Sequence, residues 1–128
     1  MARILDVVVD CHHPASPARF WAAALDGYAV APYDEAELDR LRAAGIDDPE
    51  DDPTVLVEPS SGGGPRLWFQ LVPEPKLVKN RVHLDLACAD VGAEAERLAG
   101  LGARVLATPG RWVTMADPEG NEFDVTPA

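Results

Sequence analysis

Residues 4–11 read ILDVVVDC and residues 81–88 read RVHLDLAC. Both are short, β-branched or leucine-rich runs that end in cysteine, the composition of a buried or half-buried strand. Each is followed by a helical stretch, ending FWAAALDG at residues 20–27 and RLAGLG at residues 97–102, and each half closes on an aromatic-bearing strand, LWFQL at 67–71 and EFDV at 122–125. The chain therefore states one β-α-β-β-β unit twice. A unit of this kind does not bury its sheet face alone, so two must pack together, and the seam between them is where a ligand is expected.

Working outward from the first run, CHHPASP (residues 11–17) is a proline-rich turn, with Ser16 expected as a helix N-cap and Pro17 at the first helical position. Phe20, Trp21, Ala24 and Leu25 fall on one helical face, and Gly27 is placed to end the helix. Tyr28 to Tyr33 reads as a second strand. Residues 34–44 (DEAELDRLRAA) read as an acidic helix with Leu38 and Leu41 turned inward, acids in its first turns and arginines later, as the helix dipole favours. This helix is expected to form a solvated flap over the pocket mouth. IDDPEDDP (46–53) is a polar loop, TVLVEP (54–59) a third strand, SSGGGP (60–65) a turn and RLWFQLV (66–72) a fourth strand. The segment at 73–79 is a linker stiffened by Pro73 and Pro75.

From the second run onward the pattern is cleaner. Val82, Leu84 and Leu86 alternate with His83 and Asp85. Asp90 is an N-cap for a helix over Val91–Leu101, with Gly102 after it. ARVLAT, RWVTMAD and EFDVT read as three more strands, the last two joined by the tight-turn signal DPEG at 117–120. The expected fold class is α+β: two β-α-β-β-β modules (1–72 and 80–128, linker 73–79) forming a curved mixed sheet around a cup, all within one domain.

The whole chain has 128 residues, enough to bury roughly two-thirds of its extended surface without disulfide support. Its formal net charge of −11 argues against nucleic acid and against anionic membrane surfaces, both of which need a basic face. Nine of its 22 acids lie between Asp34 and Asp52, against Arg40 and Arg42 alone as bases. Cys11 and Cys88 occupy matching places and read as small buried hydrophobes. No apolar run is long enough to span a bilayer and the N-terminus has no signal-peptide pattern, so a cytoplasmic location is expected.

The segments DVVVDC and ARFWAAALDG at the front, PKLVKNRVHLDLACADV in the middle and MADPEGNEFDV at the end together resemble the glyoxalase/bleomycin-resistance/extradiol-dioxygenase group, the vicinal oxygen chelate superfamily. The middle segment, with Lys76, Lys79, Asn80, Arg81 and His83, resembles an actinobacterial glyoxalase-like subgroup. The resemblance implies metal ligands on the first and last strand of each module. Those positions fall here at Asp6, Gln70, His83 and Asp124, with aspartate at two places where relatives usually carry His, Gln or Glu.

Two functional classes follow. One imidazole, two carboxylates and an amide oxygen would suit one divalent ion (Mn, Fe, Ni, Co or Zn), in a metal-dependent lyase, isomerase or oxygenase of glyoxalase type with Asp124 moving a proton. The alternative is a metal-free protein that binds or sequesters a small organic molecule in bleomycin-resistance fashion. In either case Trp68, Arg66, His13 and Trp112 are the candidate ligand contacts. A homodimer is expected from single-domain relatives. The residues name no substrate and do not decide between enzyme and binder.

Overall fold

The computed structural model describes residues 1–128. They divide into two compact units, Met1–Pro75 and Lys76–Ala128, with the boundary inside the proline-stiffened segment at 73–79. The first unit runs β1 (Asp6–Cys11), α1 (Ala15–Ala24), β2 (Tyr28–Val30), α2 (Glu35–Ala43), a 3-10 turn at Pro49–Asp51, β3 (Thr54–Pro59) and β4 (Arg66–Leu71). The second runs β5 (Leu84–Cys88), α3 (Val91–Gly100), β6 (Arg104–Ala107), β7 (Val113–Ala116) and β8 (Glu122–Pro127).

The repeat visible in the sequence is a repeat of topology. The strand orders are β1-β4-β3-β2 and β5-β8-β7-β6, so each unit builds its own four-stranded mixed sheet and neither sheet closes into a barrel. In each, the first strand lies parallel to the last, and the remaining pairs are antiparallel. The parallel pair requires a crossover, and the intervening elements supply it. The class is α+β with two β-α-β-β-β modules, the first enlarged by α2.

Alternation of side chains decides which face each sheet buries. In the first unit Val55, Val57, Leu67 and Phe69 are buried, and α1 lays Phe20, Trp21 and Ala24 into the same core. Phe20 and Trp21 meet edge to face with centroids 5.3 Å apart. In the second, Met115, Phe123 and Val125 are buried together with Ala95 and Leu98 of α3. A fully buried phenylalanine or leucine contributes roughly 1.5–3 kcal/mol, so these two layers supply most of the folding drive.

Several boundaries differ from the sequence expectation. The first strand begins at Asp6 rather than at Ile4, where the apolar run starts, because β4 begins at Arg66, directly opposite Asp6, and earlier residues have no ladder partner. The second strand stops at Val30: the Ala31 N–H still reaches the Leu56 carbonyl, but Pro32 has no N–H to continue. The fifth begins at Leu84, opposite Phe123, so His83 immediately precedes it. Ser16 is not a cap. Pro14 already holds a helical conformation (φ −53°), the helix starts at Ala15, and Pro17 sits within the first turn, where a missing N–H costs nothing. At its other end the helix stops at Ala24 and Leu25 turns extended, which leaves Gly27 (φ 73°) to serve the turn into β2.

The acidic insert is better anchored than a solvated flap. Asp34 caps α2 by accepting the Glu37 N–H at 2.9 Å, Leu41 is fully buried, and Arg40 pairs with Glu37 and reaches Asp52. In the second unit the DPEG turn closes as expected. The buried Asp117 accepts from the Glu119 and Asn121 amides, and Gly120 takes the positive φ of 88° that a side chain would disfavour. The basic stretch after Pro75 is tied to β8: Lys76 pairs with Glu122 at 3.0 Å, and Asn80 donates to Glu122 and Asn121.

Candidate functional site

The face of the first sheet opposite α1 carries the odd polar set. Register places Asp6 beside Arg66, Val8 beside Trp68 and Asp10 beside Gln70, so all six share that face with Thr54, Leu56 and Glu58. Asp6 does not stand free. Arg66 grips it with two hydrogen bonds, at 2.7 and 3.0 Å, and the Trp68 indole N–H donates to it at 3.3 Å. The Arg66 guanidinium also lies 5.9 Å from the Trp68 ring centroid. Arg66 holds the Asp6 carboxyl below the usual carboxylate range, against a smaller upward push from burial. Both Asp6 oxygens thus already accept hydrogen bonds. Gln70 is exposed on the same face, across from Asp10.

Over this face lies a cavity of about 480 Å³, within the size range of small-molecule pockets. Leu56, Glu58 and Trp68 form its floor, and Tyr33, Glu37, Arg40 and Asp52 its walls. Asp52 is 1% exposed. One of its oxygens accepts from the Thr54 amide at 2.9 Å; the other accepts from the Tyr33 hydroxyl at 2.8 Å and from Arg40 at 3.4 Å. Burial pushes the Tyr33 phenol up, and the bond to Asp52 adds to the shift, so Tyr33 stays a donor at any ordinary pH. The insert thus builds one wall of the cavity.

In the second unit the corresponding face holds a different group. Asp85 is paired with Asp124 across β5 and β8, and Thr114 with Asp124 across β7 and β8. The Thr114 hydroxyl donates to Asp124 at 2.6 Å. His83 Nε2 lies 3.4 Å from Asp85 and 3.5 Å from Asp124, and one donor atom from each of the three residues falls within 4.8 Å of the others. Two carboxylates and an imidazole with no guanidinium among them form a set that fits a divalent cation. Of the four positions implied by the resemblance, His83 and Asp124 meet directly, with Asp85 as a third member, whereas Asp6 is spent on Arg66.

The remaining candidates are placed as follows. His13 is exposed and bonded to Glu50, which also binds Arg19; Arg19 first, then His13, holds the Glu50 carboxyl down at about 2. His12 Nε2 lies 2.9 Å from the Glu74 carbonyl. Trp112 belongs to the second unit, is 39% exposed and stands over Gly110, where an added Cβ would lie 3.0 Å from its ring. Cys11 is buried and Cys88 half-buried; burial, then the charge of Glu94, raises the Cys88 thiol, so neither is a primed nucleophile.

A family model described as the glyoxalase-like domain matches residues 6–126. The chain belongs to that family. Solved structures with the same fold include a glyoxalase/bleomycin resistance protein/dioxygenase family enzyme from Burkholderia phytofirmans, at 14% identity and TM-score 0.66 over 97% of each chain. The fosfomycin resistance protein FosX from Mesorhizobium loti matches at 13% identity and TM-score 0.67, over 100% of this chain and 93% of its own. A FosX mutant from Listeria monocytogenes, complexed with Mn(II) and 1S,2S-dihydroxypropylphosphonic acid, matches at 9% identity and TM-score 0.63, over 98% and 90%. At such identities the likeness is one of fold. No curated protein matches the chain significantly.

Proposed function

We propose that this glyoxalase-like protein binds a small organic molecule in the cavity of its first module, without a metal in that cavity. The observation that carries the reading is the 480 Å³ space over a polar sheet face whose floor includes Trp68. Two of its lining carboxylates, Glu37 and Asp52, are bonded to Arg40, and Trp68 donates to Asp6, itself held by Arg66, so the polar surroundings are organised around guanidiniums rather than around a metal ion. Trp68 supplies a flat apolar surface for stacking. Arg66, locked against both Asp6 and Trp68, fixes the orientation of that ring. Sequestration of the ligand, as in bleomycin-resistance relatives, needs nothing more.

One observation favours a second reading. His83, Asp85 and Asp124 form a donor set compatible with a divalent cation. Such an ion would supply Lewis-acid polarisation of a substrate oxygen. Asp124, oriented by the Thr114 hydroxyl, is then the group that exchanges a proton with the substrate, in lyase, isomerase or oxygenase chemistry. A homodimer and a cytoplasmic location belong to either reading.

Titration of protein purified without chelator separates the two. On the first reading, a ligand shifts the Trp68 indole N–H resonance, and its affinity is unchanged in EDTA. On the second, Mn(II) binds stoichiometrically, His83→Ala weakens it at least tenfold while Asp6→Asn does not, and ligand affinity falls on chelation. A ligand-induced shift lost in EDTA would overturn the metal-free reading.

A further inference from the structure

The charges around the first-module cavity do not balance. Glu37, Asp52 and Glu58 face it against a single cation, Arg40, a formal surplus of two negative charges. Arg40 is itself committed, donating twice to Glu37 (3.1 and 2.9 Å) and once to Asp52 (3.4 Å). Arg66, on the same sheet face, is committed to Asp6. An anionic ligand would therefore meet two guanidiniums whose charge is already compensated by carboxylates. Glu58 differs from all of these. It is half-buried on the cavity floor, and its carboxylate has no hydrogen-bonded or ion-paired partner, Arg66 sensing it only through space. On the same floor stand the Trp68 ring and the Leu56 side chain, with the Tyr33 ring in the wall. An unpaired carboxylate beside an apolar floor is the complement of an ammonium group on an apolar ring: the charge attracts the ammonium and the floor takes the ring, while the Trp68 quadrupole, already met by Arg66, adds little.

We infer that the first-module cavity selects organic cations, binding an amine or quaternary ammonium against Glu58 with its apolar part over Leu56 and Trp68. The inference rests on the reading of this cavity as the ligand pocket, and the probes below keep the two apart. The chain's overall charge of −11 acts in the same direction, concentrating cations near its surface.

The test uses three probes of one shape: 2-phenylethylamine, 2-phenylethanol and 3-phenylpropanoate, titrated into the full-length protein at pH 7 and low ionic strength, with the Trp68 indole and Leu56 methyl resonances as reporters. The amine is expected to bind roughly tenfold more tightly than the alcohol, and the propanoate more weakly than either, with the amine's advantage shrinking as salt is added. Glu58→Gln, nearly isosteric, should bring the amine-to-alcohol ratio close to one. Glu37→Gln, which leaves Arg40 to Asp52 alone, should narrow the gap between amine and propanoate. Equal affinities for amine and alcohol, or a ratio unmoved by Glu58→Gln, overturn the cation selectivity while leaving the pocket standing. Failure of all three probes to shift either reporter overturns both.

Discussion

The two modules share one strand order, yet they furnish the same face of the sheet in opposite ways. In the first, the carboxylate at the start of β1 is neutralised by an arginine opposite it on β4, and an inserted helix walls a cavity above. In the second, the equivalent strand pair, β5 and β8, brings Asp85 and Asp124 side by side, with His83 as their cationic neighbour when it is protonated and no arginine or lysine bonded to them. The same topology thus carries an acid–guanidinium pair in one module and a cluster of one imidazole and two carboxylates in the other. Counted back from the matching cysteines, Asp6 corresponds to His83, and Asp85 and Asp124 correspond to Val8 and Trp68, so the modules differ in which positions of that face carry the polar groups.

That divergence is confined to one face. On the face packed against the helices the modules should behave alike, and the largest expected effect tests this. Phe69 on β4 and Phe123 on β8 are 0% and 1% exposed at the centre of their sheets. Phe69→Ala and Phe123→Ala should each cost about 3–5 kcal/mol in urea unfolding, by lost transfer energy plus the cavity left behind. Costs that differ severalfold would show that the equivalence of the two cores is topological only.

A smaller effect concerns the acids that hold each module's chain together. Burial pushes the Glu122 carboxyl up, but the Asn80 amide and the Lys76 ammonium outweigh it and leave it at about 2, below the ordinary 4.5. Asp6 is lowered in the first module, by Arg66 above all. A carboxyl depressed in the folded state stabilises fully above its unfolded value, and that contribution is lost as pH falls through the folded value. The urea midpoint should therefore fall as pH drops from about 4.5 towards 2, and Glu122→Gln should flatten the fall. Asp6→Asn should flatten it in a lower window, below 3.8. A Glu122→Gln protein with an unchanged acid profile would mean that the Lys76–Asn80 clamp does not persist in solution.

How much of this could be read from the chain follows the range of the interactions. Strand β3 was legible to the residue, since TVLVEP is bounded by prolines and alternates cleanly. Asp90 and the DPEG turn were legible too, because caps and tight turns are local chemistry. The shared face of His83 and Asp85 follows from two-residue alternation alone, but their meeting with Asp124 needs the parallel register of β5 on β8, which no local signal carries. The Asp6–Arg66 pair likewise depends on register across 60 residues, and the ligand role that the resemblance implies for Asp6 carries no sign of it. The cavity wall was the least visible part. Tyr33 precedes the acidic insert, Arg40 and Asp52 lie far apart within it where the charges read as solvated, and only folding shows that Asp52 is buried with three donors.

The crossover helices give the finest comparison. Helices α1 and α3 hold equivalent places, but α3 is capped by Asp90, which accepts the Ala93 N–H at 3.0 Å, whereas α1 starts from Pro14 with no side-chain cap. A sequence reading makes Ser16 and Asp90 equivalent; the geometry does not. Ser16 is inside the first turn of α1, its amide bonded to the His13 carbonyl at 3.2 Å. Asp90→Ala should cost about 1 kcal/mol, the usual price of an N-cap, whereas Ser16→Ala should be nearly neutral or slightly stabilising because alanine is the better helix former. If Ser16→Ala cost as much as Asp90→Ala, its hydroxyl would be capping α1 after all, and the helix would start at Pro17, restoring at that position the symmetry the modules otherwise lack.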